Sequence, residues 1–346
     1  MLVHISDLQV GDQLIDDIFT PTGIHILSAG TTVTKKHISS LFGLQIDFVQ
    51  IAPRKKTAEV TSSIESVPEI IDIPKYNTAV DSLKNIFDKA FRTRIVSEED
   101  TNEALLPLLQ NVSQQRDMVS LLLSLNMKDN YTYAHSVQVG MLAFSLAKWL
   151  GFNEENAIMA GKAGYLHDIG KCQIDNAILN KPGKLTLEEY EEIKKHTLFG
   201  FEILEQIFPN SPISAAALEH HERFNGNGYP YGKKQDIHII SRIIAVVDTY
   251  SAMTMDRVYQ SKSDLLTVLR TLHEMSFSDF DPKIVSPFIQ HMLPNFIGKK
   301  ILLTSGEEGT IVWTNPTDFF RPLVKLGSNF IDLSQHRHLK IQSIRV

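Results

Sequence analysis

The sequence predicts a mainly α fold, a helical bundle flanked by small β-rich units at its N- and C-terminal ends. Three observations lead there. Apolar residues recur at helical spacing from Tyr76 to about Leu293. Short β-prone runs broken by glycine lie before that stretch and after Pro294. Within the helical stretch, histidines and carboxylates recur at intervals of about 25 to 30 residues, room for one helix and a loop each.

Residues 1–52 form the first predicted unit. Ile24, Ile26 and Leu27 follow a turn at Thr22-Gly23, Gly30 marks another, and Val33 and Phe48, Val49 and Ile51 lie in further β-prone runs. Lys35 to Leu44 reads as one short helix between them. Residues 53–75 change character: a basic Pro53-Arg54-Lys55-Lys56 opening, then Ser and Thr, with Pro68 and Pro74 near the close, compose a linker.

From residue 76 to 293 the period is helical. Ala79, Val80, Leu83, Ile86, Phe87, Ala90 and Phe91 make one wide apolar stripe, suited to a bundle core or to a dimer face. Residues 294–346 return to β patterning. Lys300 to Thr304 and Thr310 to Thr314 flank Gly306-Glu307-Glu308-Gly309 as a hairpin, and Leu323 to Leu326 and Leu339 to Ile344 supply further strands.

Composition narrows the function. With 346 residues, 43% hydrophobic content, net charge −6 and pI near 6.1, the chain offers no electrostatic case for wrapping duplex nucleic acid. A local cluster of cations still suits a small anionic ligand. The single cysteine, Cys172, points to a reducing compartment. No signal-peptide pattern opens the sequence, and no apolar run approaches the ~20 residues of a membrane span. The expectation is a cytoplasmic protein that does not enter a membrane.

The chemistry lies in an ordered set: His135, His167-Asp168, His196, His220-His221 and Asp248. Imidazole and carboxylate together suit Fe, Mn, Co, Ni or Zn rather than Ca or Mg, and seven ligands exceed the need of one metal. The other eight of the 13 histidines lack such neighbours and read as structural.

The flanks of this set carry a resemblance. Tyr165-Leu166-His167-Asp168-Ile169-Gly170-Lys171 resembles the HD-x-G-K motif of the HD phosphohydrolase superfamily. His220-His221-Glu222 through Gly226-Asn227-Gly228-Tyr229-Pro230 resembles the HHE-x-x-x-G-x-GYP motif of the HD-GYP phosphodiesterases. Further matches run in the family's order: His135-Ser136, His196 followed by Gly200, and Asp248 followed by Asp256-Arg257. The resemblance covers about residues 115 to 292.

It implies an HD-superfamily bundle with a binuclear centre. His135, His167, Asp168 and Asp248 would serve one divalent transition metal; Asp168, His196, His220 and His221 would serve the other, with Asp168 bridging. Fe or Mn stands foremost, with Co, Ni and Zn open. The implied reaction is hydrolysis of cyclic di-GMP to linear pGpG, and onward to GMP, by metal-bound hydroxide. Asp168 and Lys171 are the implied catalytic residues. Lys171, Tyr229 and Arg257 match positions close to substrate, although Arg257 suits a salt bridge equally well. Gly226, Gly228 and Pro230 are expected to shape a loop of unusual backbone angles or close approach.

The sequence departs from the family at four places. Tyr131 stands where some members place an acidic ligand for a third metal, and Asp129 falls on another helix face, so two metals are expected. Ser251 replaces a common Asp, Gln260 a common basic residue and Asn225 a common Asp. Ser251 and Gln260 are expected to weaken the grip on substrate. They leave open two alternatives: a cyclic di-GMP receptor with little turnover, and a phosphodiesterase for a mixed cyclic dinucleotide. A homodimer or a signalling-protein partner is also open.

Overall fold

The computed structural model describes residues 2–4, 8, 10–19, 25–34, 37, 41, 48–52, 73–115, 117–125, 131–234, 236–255, 265–315 and 318–345. The chain divides into two compact units, Met1–Glu65 and Ser66–Val346.

In the first unit, β1 (Leu2–His4) pairs antiparallel with β4 (Phe48–Gln50), and β2 (Ile18–Phe19) with β3 (His25–Leu27). Isolated bridges Gln13↔Thr32 and Leu14↔Ile51 tie the intervening loops. Val3, Leu14, Val33, Val49 and Ile51 are among the residues that fill its core. Most of the helix expected over residues 35–44 lies outside the described residues.

In the second unit, helix α1 (Ile73–Thr93) begins three residues before Tyr76, and Tyr76, Ala79, Val80, Leu83, Ile86, Phe87 and Ala90 are its buried face. The stripe is therefore bundle core, except that Phe91 remains 64% exposed. α2 (Glu98–Val112) and α3 (Met118–Ser124) follow, started by Ser97 and Asp117, whose side chains accept from the Asp100 and Ser120 amides.

α4 (Tyr131–Trp149) is the central helix: residues 134–147 are buried without interruption. A helix apolar on all sides has to be surrounded, so its neighbours pack around it. α5 (Glu154–Leu166) approaches it most closely, because glycines line the contact. A Cβ on Gly164 would lie 2.8 Å from the Val139 carbonyl oxygen and 2.9 Å from Gly140 Cα. This approach brings His135, on α4, and His167, at the end of α5, to ring centroids 5.5 Å apart.

After α5 the chain tightens into a 3-10 helix, Ile169–Gln173, and continues through α6 (Asn176–Leu179), α7 (Leu187–Lys194), α8 (His196–Glu205) and α9 (Pro212–Glu219). A capping box of Thr186 and Glu189 starts α7, and Ser211 with Pro212 starts α9. α10 (Ile239–Thr254), α11 (Leu265–Met275) and α12 (Pro282–Met292) complete the bundle.

The C-terminal residues form one antiparallel sheet of order β8-β7-β6-β5-β9. Its strands are β5 (Lys300–Leu303), β6 (Glu308–Trp313), β7 (Leu323–Leu326), β8 (Asn329–Asp332) and β9 (Ile341–Arg345). The expected hairpin turns at Gly306, whose φ is +87°. β8 was not expected. Ile301, Leu303, Ile311 and Val324 share the helices' core, so the sheet closes one side of the bundle. Among the described residues no helix is long and apolar enough to cross a membrane.

Gly170 sets how closely the 3-10 helix meets α8. A Cβ there would lie 2.0 Å from the His196 carbonyl oxygen and 2.4 Å from the Gly200 nitrogen, both backbone atoms. Gly170→Ala is therefore expected to cost about 1–3 kcal/mol or more, as overpacking against atoms that cannot rotate away does. Denaturant unfolding with an unchanged midpoint would contradict this placement.

Candidate metal centre

Six elements deliver the polar set into one buried cluster. His135 lies on α4, Asp168 enters the 3-10 helix, His167 closes α5, His196 opens α8, His220 and His221 follow α9, and Asp248 lies on α10. His221 is half-buried and the others are buried. Two groups have donor atoms all within 4.8 Å of one another: His135, His167 and Asp168, and His196, His220 and His221. Asp168 stands between them. Its Oδ2 is 3.3 Å from His167 Nε2, and its Oδ1 is 3.4 Å from His196 Nε2 and 3.8 Å from His220 Nε2.

Backbone carbonyls fix which nitrogen of each ring faces inward. His167 Nδ1 donates to the Gly164 carbonyl at 2.7 Å, and His196 Nδ1 to that of Ile193 at 2.7 Å. His220 Nδ1 shares its proton between the Ala216 and Ala217 carbonyls, each at 3.0 Å. With Nδ1 committed as donor, each Nε2 presents a lone pair to the cluster, the tautomer that a metal ligand needs.

The resulting contacts are unfavourable without a cation. The Nε2 atoms of His196 and His220 lie 3.2 Å apart as two lone pairs. His167 Nε2 and Asp168 Oδ1 are buried with no hydrogen-bond partner. An unpaired buried acceptor costs roughly 1–3 kcal/mol, more where it is charged. Two carboxylates and five imidazoles therefore make a donor set that fits divalent transition metals, and divalent metal binding is what this cluster supports.

Electrostatics point the same way. Burial pushes the pKa of His135, His220 and His221 down and that of His196 to about 4, so these rings stay neutral and able to ligate near neutral pH. Burial opposes charge on Asp168, but His167 and Lys171 outweigh it and hold the carboxyl well below its usual range. His135 and His167 likewise hold Asp248 low against its burial. His167 is the exception: burial is outweighed by Asp168 and Asp248 and its pKa rises, so this ring favours a proton that a metal would displace.

The residues expected near substrate divide. Lys171 hydrogen-bonds Asp168 Oδ2 and keeps its side chain 24% exposed. Tyr229 lies beside His221, ring centroids 4.6 Å apart. Burial holds its phenol protonated. Its loop is folded round buried Glu222, whose carboxylate accepts from the Tyr231 and Lys233 amides at 2.7 and 2.8 Å. Gly226 has φ +84°, and a Cβ on Gly228 would lie 2.4 Å from the His221 carbonyl oxygen, so both glycines are required as expected. Arg257, Gln260 and Asp129 lie outside the described residues.

Ser251 takes a place that the sequence reading did not give it. It is buried behind the cluster, with its Oγ 3.0 Å from His135 Nδ1. The hydroxyl reaches Gln138 Oε1 at 3.3 Å, so it can accept the imidazole N–H when Nε2 holds a metal. His135 Nε2 lies 2.9 Å from Asp248 Oδ1, a contact that needs a proton or a metal between the two atoms. Ser251 lies three residues after Asp248 and Gln138 three after His135, so helical spacing was the available signal.

Comparison with known proteins agrees with this architecture. Residues 117–284 match the HD domain family. Over 207 residues the chain is 36% identical to a cyclic di-GMP phosphodiesterase of Pseudomonas aeruginosa, covering 59% of this chain and 50% of the relative. Over 166 residues it is 36% identical to a 3'3'-cGAMP-specific phosphodiesterase of Vibrio cholerae, covering 47% of this chain and 38% of the relative. The match thus spans half or less of these relatives' length. The structure of an HDG"Y"P protein from Bdellovibrio bacteriovorus superposes with a TM-score of 0.50 at 18% identity, over 83% of this chain and 97% of that one, which establishes likeness of fold.

Removing the acceptor behind His135 frees the ring to turn. Ser251→Ala is expected to weaken Mn binding by roughly 10- to 100-fold, the usual loss when an outer hydrogen bond to a ligating histidine is deleted. Calorimetric titration of the metal-free protein measures it. Equal affinities in variant and parent would show that Ser251 does not orient the ring.

Proposed function

We propose that this chain, whose residues 117–284 match the HD domain family, is a metal-dependent phosphodiesterase that hydrolyses cyclic di-GMP to linear pGpG. The observation that carries the proposal is the buried Asp168, whose two carboxylate oxygens face the Nε2 atoms of two converging groups of donors. The relative from Pseudomonas aeruginosa supports the substrate.

In this reading His135, His167, Asp168 and Asp248 hold one divalent metal, and Asp168, His196, His220 and His221 hold a second, Fe or Mn. Such a pair supplies activation of water and charge to the oxygens of the phosphodiester. The protein's own groups do the rest. Asp168 directs one oxygen to each histidine group and so holds the two halves in register. Lys171 spends one N–H on Asp168 and has two left for a phosphate oxygen. Tyr229, kept protonated, offers an O–H donor beside His221. Water oxygen bonds to phosphorus as the bond to the leaving ribose oxygen breaks, and that oxygen takes a proton.

A second reading follows from the relative in Vibrio cholerae: a mixed cyclic dinucleotide as the preferred substrate. Competition between cyclic di-GMP and 3'3'-cGAMP decides between them.

Full-length protein purified anaerobically with Fe or Mn is expected to convert cyclic di-GMP to pGpG, followed by chromatography. Asp168→Ala is expected to lower the rate by at least roughly 10²-fold, since it removes a ligand of both metals. Ligand retained without product would support a receptor instead. Bound metal with neither cyclic dinucleotide bound nor cleaved would contradict the proposed substrate.

A further inference from the structure

A cleft of about 1270 Å³ opens beside the cluster and reaches a helix that lies outside the HD match. Three of its lining residues touch the proposed ligands. Tyr131 stacks on His135, centroids 5.9 Å apart and planes within 4°. Lys171 hydrogen-bonds Asp168, and the Ile193 carbonyl accepts from His196. The cleft thus adjoins the cluster through these three residues.

The opposite wall is the C-terminal end of α1, with Phe87, Asp88, Phe91 and Arg92. α1 precedes residue 117, where the HD match begins. The wall is fixed in place. Tyr165 Oη donates to the Ala79 carbonyl at 2.7 Å, Tyr76 Oη to that of Ala134 at 3.3 Å, and Gln173 Nε2 to that of Phe91 at 3.4 Å.

The lining has the character of a nucleotide site. Phe91, Tyr131 and Tyr133 offer aromatic surface, and Arg92 and Lys171 offer positive charge, while Lys181 is paired with Glu189 and Asp88 and Asp175 also line the cleft. Phe91 is 64% exposed at the end of an otherwise buried stripe, where packing gives no reason for a phenylalanine. The volume exceeds the ~300–1,000 Å³ of ordinary ligand pockets and suits a molecule larger than one phosphodiester group.

We propose that α1 forms part of the substrate site: a purine of the cyclic dinucleotide lies on the Phe91 ring, and the phosphate remote from the metals faces the Arg92 guanidinium. The inference rests on the phosphodiesterase reading above. It makes Phe91 and Arg92 specificity-determining residues supplied from outside the HD domain.

The test compares cyclic di-GMP with bis(p-nitrophenyl) phosphate, a phosphodiester without purines, on metal-loaded full-length protein. Equilibrium binding of a fluorescent cyclic di-GMP analogue is measured alongside. Phe91→Ala is expected to raise KM and the analogue's Kd roughly ten-fold or more, since base–aromatic stacking carries at least that much. kcat changes little, and the preference for cyclic di-GMP over the purine-free ester falls by the same factor. Phe91→Trp retains the stacking surface and restores affinity, while Arg92→Gln lowers it. Phe330→Ala, an exposed aromatic on β8, serves as the control and leaves both substrates unaffected.

Unchanged KM and Kd in Phe91→Ala and Arg92→Gln, with the parent cleaving cyclic di-GMP, would overturn the role of α1 alone. A parent that cleaves bis(p-nitrophenyl) phosphate but neither binds nor cleaves cyclic dinucleotides would overturn both this inference and the proposed substrate.

Discussion

A carboxylate closed into the centre of a helical core has to be neutralised, and the neutralisation of Asp168 organises this protein. Its side chain is 1% exposed, yet it is held ionised by His167 and Lys171. One buried charge balanced by one lysine still leaves Asp248 and the converging imidazole lone pairs to satisfy. The helices are arranged so that the remaining donors point at one place, a set of groups that fits divalent metal.

That arrangement depends on backbone as much as on side chains. The close contact of α4 and α5 at Gly140 and Gly164 brings His135 to His167, and Gly170 lets the 3-10 helix meet the start of α8. Carbonyls near helix ends, at Gly164, Ile193, Ala216 and Ala217, accept from the imidazoles and turn each Nε2 inward. The helix ends that generally seek partners are here partners to the ligands. Ser251 performs the same service for His135 with a hydroxyl in place of a carbonyl.

The clustered histidines and aspartates and the bundle were legible in the sequence because both depend on local spacing. His167-Asp168 and His220-His221 announce themselves by adjacency, and the α1 stripe by its period. What escaped was tertiary. Ser251 read as a departure that weakened substrate binding; in the fold it is buried against His135, a partner 116 positions away in the chain. Strand β8 escaped because Asn329-Phe330-Ile331-Asp332 does not alternate polar and apolar, and pairing with β7 forms it instead. Phe91 looked like one more core position, and only the placement of α1 shows that its ring leaves the core for the cleft.

The most direct test of the account is the metal stoichiometry of the protein, read by calorimetry and by electron paramagnetic resonance as metal-free chain is titrated with Mn. Two ions per chain with a magnetically coupled signal, both weakened in Asp168→Ala, is the result predicted for a carboxylate shared between two histidine groups. Binding that is absent, or that proceeds unaltered in Asp168→Ala, would contradict it.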